Sequence, residues 1–96
     1  MMHIRLLTLA LIMPTAGLAQ SNNCISSFGN MALYMEVAAS ASAKGDACGT
    51  ADGIEYALNA AGDAIESCEG AERATAQRYA AGLGNQLATA VSLCGR

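Results

Sequence analysis

Three stretches of the chain repeat apolar or small residues at helical spacing. Ile25, Phe28, Ala32, Met35, Ala39 and Ser42 step by 3, 4, 3, 4 and 3. Ile54, Leu58, Ala61, Ile65 and Cys68 step by 4, 3, 4 and 3, and Ala76, Ala80, Leu83, Leu87, Ala90 and Cys94 by 4, 3, 4, 3 and 4. Each set falls on one face of an α-helix, and none has the period of two that a strand requires. Ser26 or Ser27 is placed to cap the first helix, which should end at Lys44-Gly45. Thr50 or Asp52 is placed to start the second, with Glu55 three residues after Asp52 in a capping-box arrangement. Gly70 divides the second helix from the third. The pattern predicts three helices over about 26–44, 51–69 and 71–94. The connections are short, which favours antiparallel neighbours. The expected fold is all-α, a small three-helix up-down-up bundle.

Gly82 and Gly84 interrupt the third helix at a cost of about 1 kcal/mol each relative to alanine. The apolar face runs through them in register, so one helix is expected. A kink, or a neighbouring backbone that approaches closely, would account for them. A split into two helices at Gly82–Gly84 is the alternative. Gly62 and the many alanines also predict tight helix packing.

Cysteine spacing limits how these helices are joined. Cys24, Cys48, Cys68 and Cys94 are separated by 24, 20 and 26 residues, with no close pair of the C-x-x-C kind. That spacing argues against a zinc site and against a thioredoxin-like redox pair. Two structural disulfides are expected. A helix of twenty residues is about 30 Å long, whereas disulfide-bonded Cα atoms lie within about 7 Å. Cys48 and Cys68 sit at opposite ends of helix 2, Cys24 and Cys48 at opposite ends of helix 1, and Cys68 and Cys94 at opposite ends of helix 3. Only Cys24–Cys68 with Cys48–Cys94 survives. Each bridge closes about 45 residues, worth roughly 4 kcal/mol in the chain-entropy model.

The N-terminus reads MMHIRLLTLALIMPTAGLAQ. His3 and Arg5 precede an eight-residue apolar run from Leu6 to Met13, Pro14 ends it, and Gly17-Leu18-Ala19 offers small residues for cleavage before Gln20. Residues 1–19 are read as a secretory signal peptide and 20–96 as a single helical domain. The apolar run is far shorter than the roughly 17–25 residues that span a bilayer. No cysteine follows the small residues, which argues against a lipid anchor there. The expected destination is the periplasm or medium of a bacterium, with no membrane association after cleavage.

Composition then removes several function classes. The 96 residues are 53% hydrophobic, with four aromatics, no Trp and one Pro. That is too small for a multidomain enzyme and too apolar for a disordered segment. Twenty-one alanines favour helix. After cleavage, Lys44, Arg73, Arg78 and Arg96 stand against eight acids, a net charge of −4. An acidic chain of this kind is not expected to bind nucleic acid.

The acids are unevenly placed. From Asp46 to Glu72 there are seven and no base, the next being Arg73. Asp52, Glu55, Asn59, Asp63 and Glu66 form a ridge on helix 2, to one side of its apolar face. Glu66 and Glu69 fall near the helix C-terminus, which disfavours negative charge by about 0.3–1 kcal/mol. Asp52, Glu55, Asp63 and Glu66 are therefore the candidate partner-binding residues, suited to a basic protein. A solvated face that maintains solubility is the plainer use of the same residues. No D-x-[DN]-x-[DN]-G loop converges them on calcium.

Met31 and Met35, four apart, fit core filling beside Phe28 better than a copper site. Tyr34, Tyr56 and Tyr79 fall one per helix and suit bundle edges. Past residue 3 there is no His, and the chain has no G-x-S-x-G, phosphate loop or haem-attachment motif. No cofactor or metal is expected. So small a bundle should have little room for a cleft, and a non-enzymatic protein is expected. In size, helicity and bridging the chain resembles periplasmic acid-stress chaperones and immunity proteins against exported toxins, a likeness of architecture alone. The expected function is a protein-binding module of inhibitor, immunity or accessory type. The alternative is a stress or structural protein without a dedicated partner.

Overall fold

In a computed structural model, residues 21–96 are described; the expected leader and its cleavage site lie outside them. Three helices follow one another: α1 (Asn22–Ala43), α2 (Ala47–Ser67) and α3 (Gly70–Cys94). The expected all-α fold with two bridges is the observed one.

Two helices begin earlier than the pattern predicts. The Ser21 hydroxyl accepts from the Cys24 amide at 3.0 Å, so Ser21 and not Ser26 or Ser27 caps α1. Asp46 accepts from the Gly49 amide at 2.8 Å and starts α2 ahead of both Thr50 and Asp52. In each case the cap brings a cysteine into the first helical turn. Gly45, at φ 75°, turns the chain out of α1 in the left-handed region that glycine enters without cost.

The bridges join Cys24 to Cys68 and Cys48 to Cys94, with Cα separations of 4.9 and 4.8 Å. This is the pairing that helix length requires. The first holds the start of α1 to the end of α2, and the second holds the start of α2 to the end of α3.

α2 is the middle helix. It packs along α1 on one flank and along α3 on the other, whereas α1 and α3 have no extended contact with each other. Burial on two flanks explains why α2 is so rich in small residues. Ala51, Gly53, Ile54, Ala57, Ala60, Ala61 and Ala64 are all buried. At Gly53 the α1 backbone comes so close that a β-carbon would stand 2.9 Å from both Cα and N of Ala38. Tight packing is therefore real, but its glycine is Gly53. Gly62 has open space around it.

The third helix also departs from expectation. α3 is continuous through Gly82 and Gly84, and no neighbouring atom lies within 4 Å of a β-carbon built at either position. No split occurs, and no close backbone contact accounts for these glycines. Gly82→Ala and Gly84→Ala should each stabilise by about 1 kcal/mol, the helix-propensity difference. Thermal unfolding would show this as a midpoint about 4–8 °C higher per substitution. An unchanged or lower midpoint would mean that the glycines serve the fold in some other way.

The buried face of α1 lies one position away from the expected one. Cys24, Ser27, Met31 and Ala38 are its buried residues, while Ile25 is 59% exposed and Ala32, Ala39 and Ser42 are also exposed. The expected face of α1 is apolar, but Met35, Ala39 and Ser42 on it line a hollow between α1 and α3. The expected face of α3 is correct: Ala76, Leu83 and Ala90 are buried, and Ala80, Leu87 and Cys94 are half-buried.

Candidate functional site

The ridge residues Asp52, Glu55, Asp63 and Glu66 are all exposed. At about 100° per residue they share an arc of roughly 80° on the outer side of α2. Ile54 and Thr50 point from the opposite side of that helix. The ridge is therefore as the spacing predicts, but its members have different surroundings.

Asp52 lies near the start of α2, beside the end of α3. Its carboxylate meets the Arg96 guanidinium at 3.1 Å, with both side chains about half exposed. An ion pair so open to solvent is worth at most about 1 kcal/mol. It does, however, give Asp52 a partner within the chain.

Asp63 and Glu66 lie near the end of α2, beside the start of α1, where they and Ser67 form one wall of a polar trough of about 630 Å3. Ser21, Asn23, Ser26, Ser27 and Asn30 of α1 form the other wall. No base is among the lining residues. The Ser21 hydroxyl crosses the trough and donates to the Ser67 carbonyl at 3.3 Å. The Ser67 hydroxyl donates to the Asp63 carbonyl. These bonds hold backbone and hydroxyl groups in place, and the two carboxylates face a row of neutral donors and acceptors. A lysine or arginine side chain entering the trough would find both opposite charge and hydrogen-bonding oxygens. The α1 wall is not legible in the sequence, where Ser26 and Ser27 fit a helix cap.

On the same outer side, Tyr34 of α1 stacks on Tyr56 of α2 with ring centroids 5.2 Å apart. Tyr34 is half-buried and Tyr56 exposed, so the pair tiles the α1–α2 seam. Tyr79 lies elsewhere, on the α3 wall of an apolar groove.

That groove corrects the expectation that so small a bundle has little room for a cleft. Because α1 and α3 have no extended contact, an apolar hollow of about 500 Å3 lies between them, with Met35, Ile54, Leu83 and Leu93 in its lining. A second hollow of about 390 Å3 extends along α1 past Phe28, Met31 and Tyr79. Met31 itself is only 2% exposed and fills the core, as expected. Met35 sits in the wall of both hollows. Among the described residues no cluster of three or more His, Cys, Asp or Glu side chains is arranged to hold a metal ion. Nor is any described helix long and apolar enough to cross a membrane.

Comparison with protein families, curated proteins and solved structures gives no match.

Proposed function

We propose that this protein is an exported, non-enzymatic protein-binding module that takes a basic partner at the outer face of α2. The observation that carries this reading is the trough in which Asp63 and Glu66 face the Ser and Asn side chains of α1 with no base beside them. Of the four ridge acids, this pair forms the docking point. Asp52 is engaged by Arg96, and Glu55 lies between the two ends. The excess of eight acids over four bases in residues 20–96 adds a long-range attraction for a basic protein. Two disulfides fit an oxidising compartment, in keeping with a periplasmic or secreted location.

The test uses residues 20–96 as bait in a periplasmic extract, beside an Asp63→Lys, Glu66→Lys bait. One stoichiometric basic protein is expected on the first bait and not on the second. Titrated against the purified partner, the variant should bind about tenfold more weakly at low salt and show a shallower salt dependence. Its thermal midpoint should stay close to that of the parent, since both positions are exposed. Equal retention on the two baits would refute the assignment of Asp63 and Glu66.

The open groove between α1 and α3 favours a second reading, a stress protein that holds many apolar clients weakly. The same experiment separates the two. Many substoichiometric proteins, held equally by both baits, would support the second.

A further inference from the structure

The two bridges differ in access. Cys24 and Cys68 are 1% and 0% exposed. They belong to a small core cluster with Ala64 and Ala76, packed over by Phe28 and Ile65. At the opposite end of the bundle Cys48 is exposed and Cys94 is half-buried. Thiol–disulfide exchange requires a thiolate to reach one sulfur of the bond, so access decides which bridge reacts. Exposed disulfides are the labile ones.

Beyond Val91, which packs against the core, little else holds the end of α3 near Cys94. Leu93 is 74% exposed, and the ion pair from Arg96 to Asp52 is open to solvent. Ala90 is the last buried residue of the helix. The final turn can therefore separate from α2 locally, without disturbing the Cys24–Cys68 end.

We infer that Cys48–Cys94 is an exchangeable bridge, that Cys48 is the site at which a small thiol forms a mixed disulfide, and that Cys24–Cys68 is a fixed one. In the step, the thiolate of the small thiol attacks Sγ of Cys48. The Cys48–Cys94 bond breaks, a new S–S bond joins the small thiol to Cys48, and Cys94 leaves as a thiolate that takes a proton from water. The number of disulfide bonds is unchanged. A second equivalent of thiol attacks the small-thiol sulfur of that mixed disulfide, which releases Cys48 as a thiolate and forms the disulfide of the two small thiols. Opening the bridge loosens the turn that carries Leu93, so the Leu93 edge of the apolar groove moves with the redox state of this bond. The inference is independent of the partner proposed for α2.

The experiment exposes the oxidised protein to graded glutathione, quenches it with acid, alkylates free thiols and maps the fragments. Cleavage after Glu36, Glu55, Glu66 and Glu72 leaves each cysteine on a fragment of its own. Expected are a glutathione adduct on Cys48 and an alkylated Cys94, with Cys24–Cys68 intact until about tenfold more thiol is present. Simultaneous opening of the bridges, earlier opening of Cys24–Cys68, or an adduct on Cys94 would overturn the inference. A Cys48→Ser, Cys94→Ser variant supplies the control. It should remain helical by circular dichroism and keep Cys24–Cys68 resistant to thiol. If Cys24–Cys68 instead opened in that variant at the lower thiol concentration, burial would not be what protects it, and the inference would fail.

Discussion

Replacing Cys24 and Cys68 together with alanine should lower the stability of the oxidised protein by somewhat more than 4 kcal/mol. The chain-entropy term for a bridge across a sequence separation of 44 is about 4 kcal/mol. Loss of two fully buried sulfurs adds a packing cost on top of it. Replacing Cys48 and Cys94 with serine removes an almost equal loop term, for a separation of 46, but little packing, because Cys48 is exposed. The two double variants should therefore differ in the same direction as burial. A helical core of this size supplies only about 3–5 kcal/mol by itself, so each single-bridge variant should fold and the bridge-free one should be marginal. Urea unfolding of the three variants gives the values directly. A smaller loss from the buried pair than from the exposed pair would contradict this account of the core.

The second large effect belongs to Gly53. Gly53→Ala should destabilise by about 1–3 kcal/mol, the usual cost of overpacking. The added methyl would meet backbone atoms of Ala38 at 2.9 Å, and backbone cannot rotate aside as a flexible side chain can. Relief would require α1 to move away from α2 along the seam that carries the Tyr34–Tyr56 stack. Gly62→Ala, on the same helix but with open space around it, should shift stability in the opposite direction by up to about 1 kcal/mol. Denaturation midpoints for the two variants measure the contrast. Equal and stabilising shifts would mean that α1 sits farther from α2 than 2.9 Å implies.

The helices and bridges were readable because they rest on strong local rules. Period, helix rise and disulfide reach leave one pairing for four cysteines. Helix starts were less readable, since Ser21 and Asp46 lie ahead of cysteines that resemble loop positions when seen as bridge ends. The face of α1 was displaced for a different reason. Phe28, Ala32, Met35 and Ala39 form a good apolar stripe, yet the residues turned into α2 include Cys24 and Ser27. Small residues such as Ala, Ser and Gly give nearly the same signal whether buried or exposed, so periodicity alone cannot choose between adjacent faces. The same ambiguity concealed Gly53, which in sequence is no more conspicuous than Gly62, Gly82 or Gly84. The exposure of Asp52, Glu55, Asp63 and Glu66 follows from charge and spacing. Their division between an ion pair with Arg96 and a trough shared with α1 does not, because it depends on the end of α3 lying beside the start of α2 and the start of α1 beside its end.

The order of the bridges has a consequence for chain cleavage. The covalent ring closed by Cys24–Cys68 overlaps the ring closed by Cys48–Cys94 over the length of α2. Every peptide bond between Cys24 and Cys94 is consequently spanned by at least one bridge, and those of α2 from Cys48 to Cys68 by both. A protease that cuts once in the turn at Lys44, or once between Cys68 and Gly70, adds a water to the mass but liberates no fragment. On a non-reducing gel the nicked chain would run as one species, and only a reducing gel would show two pieces. The molecule can thus lose the continuity of its backbone at any single point in this span and still remain one molecule.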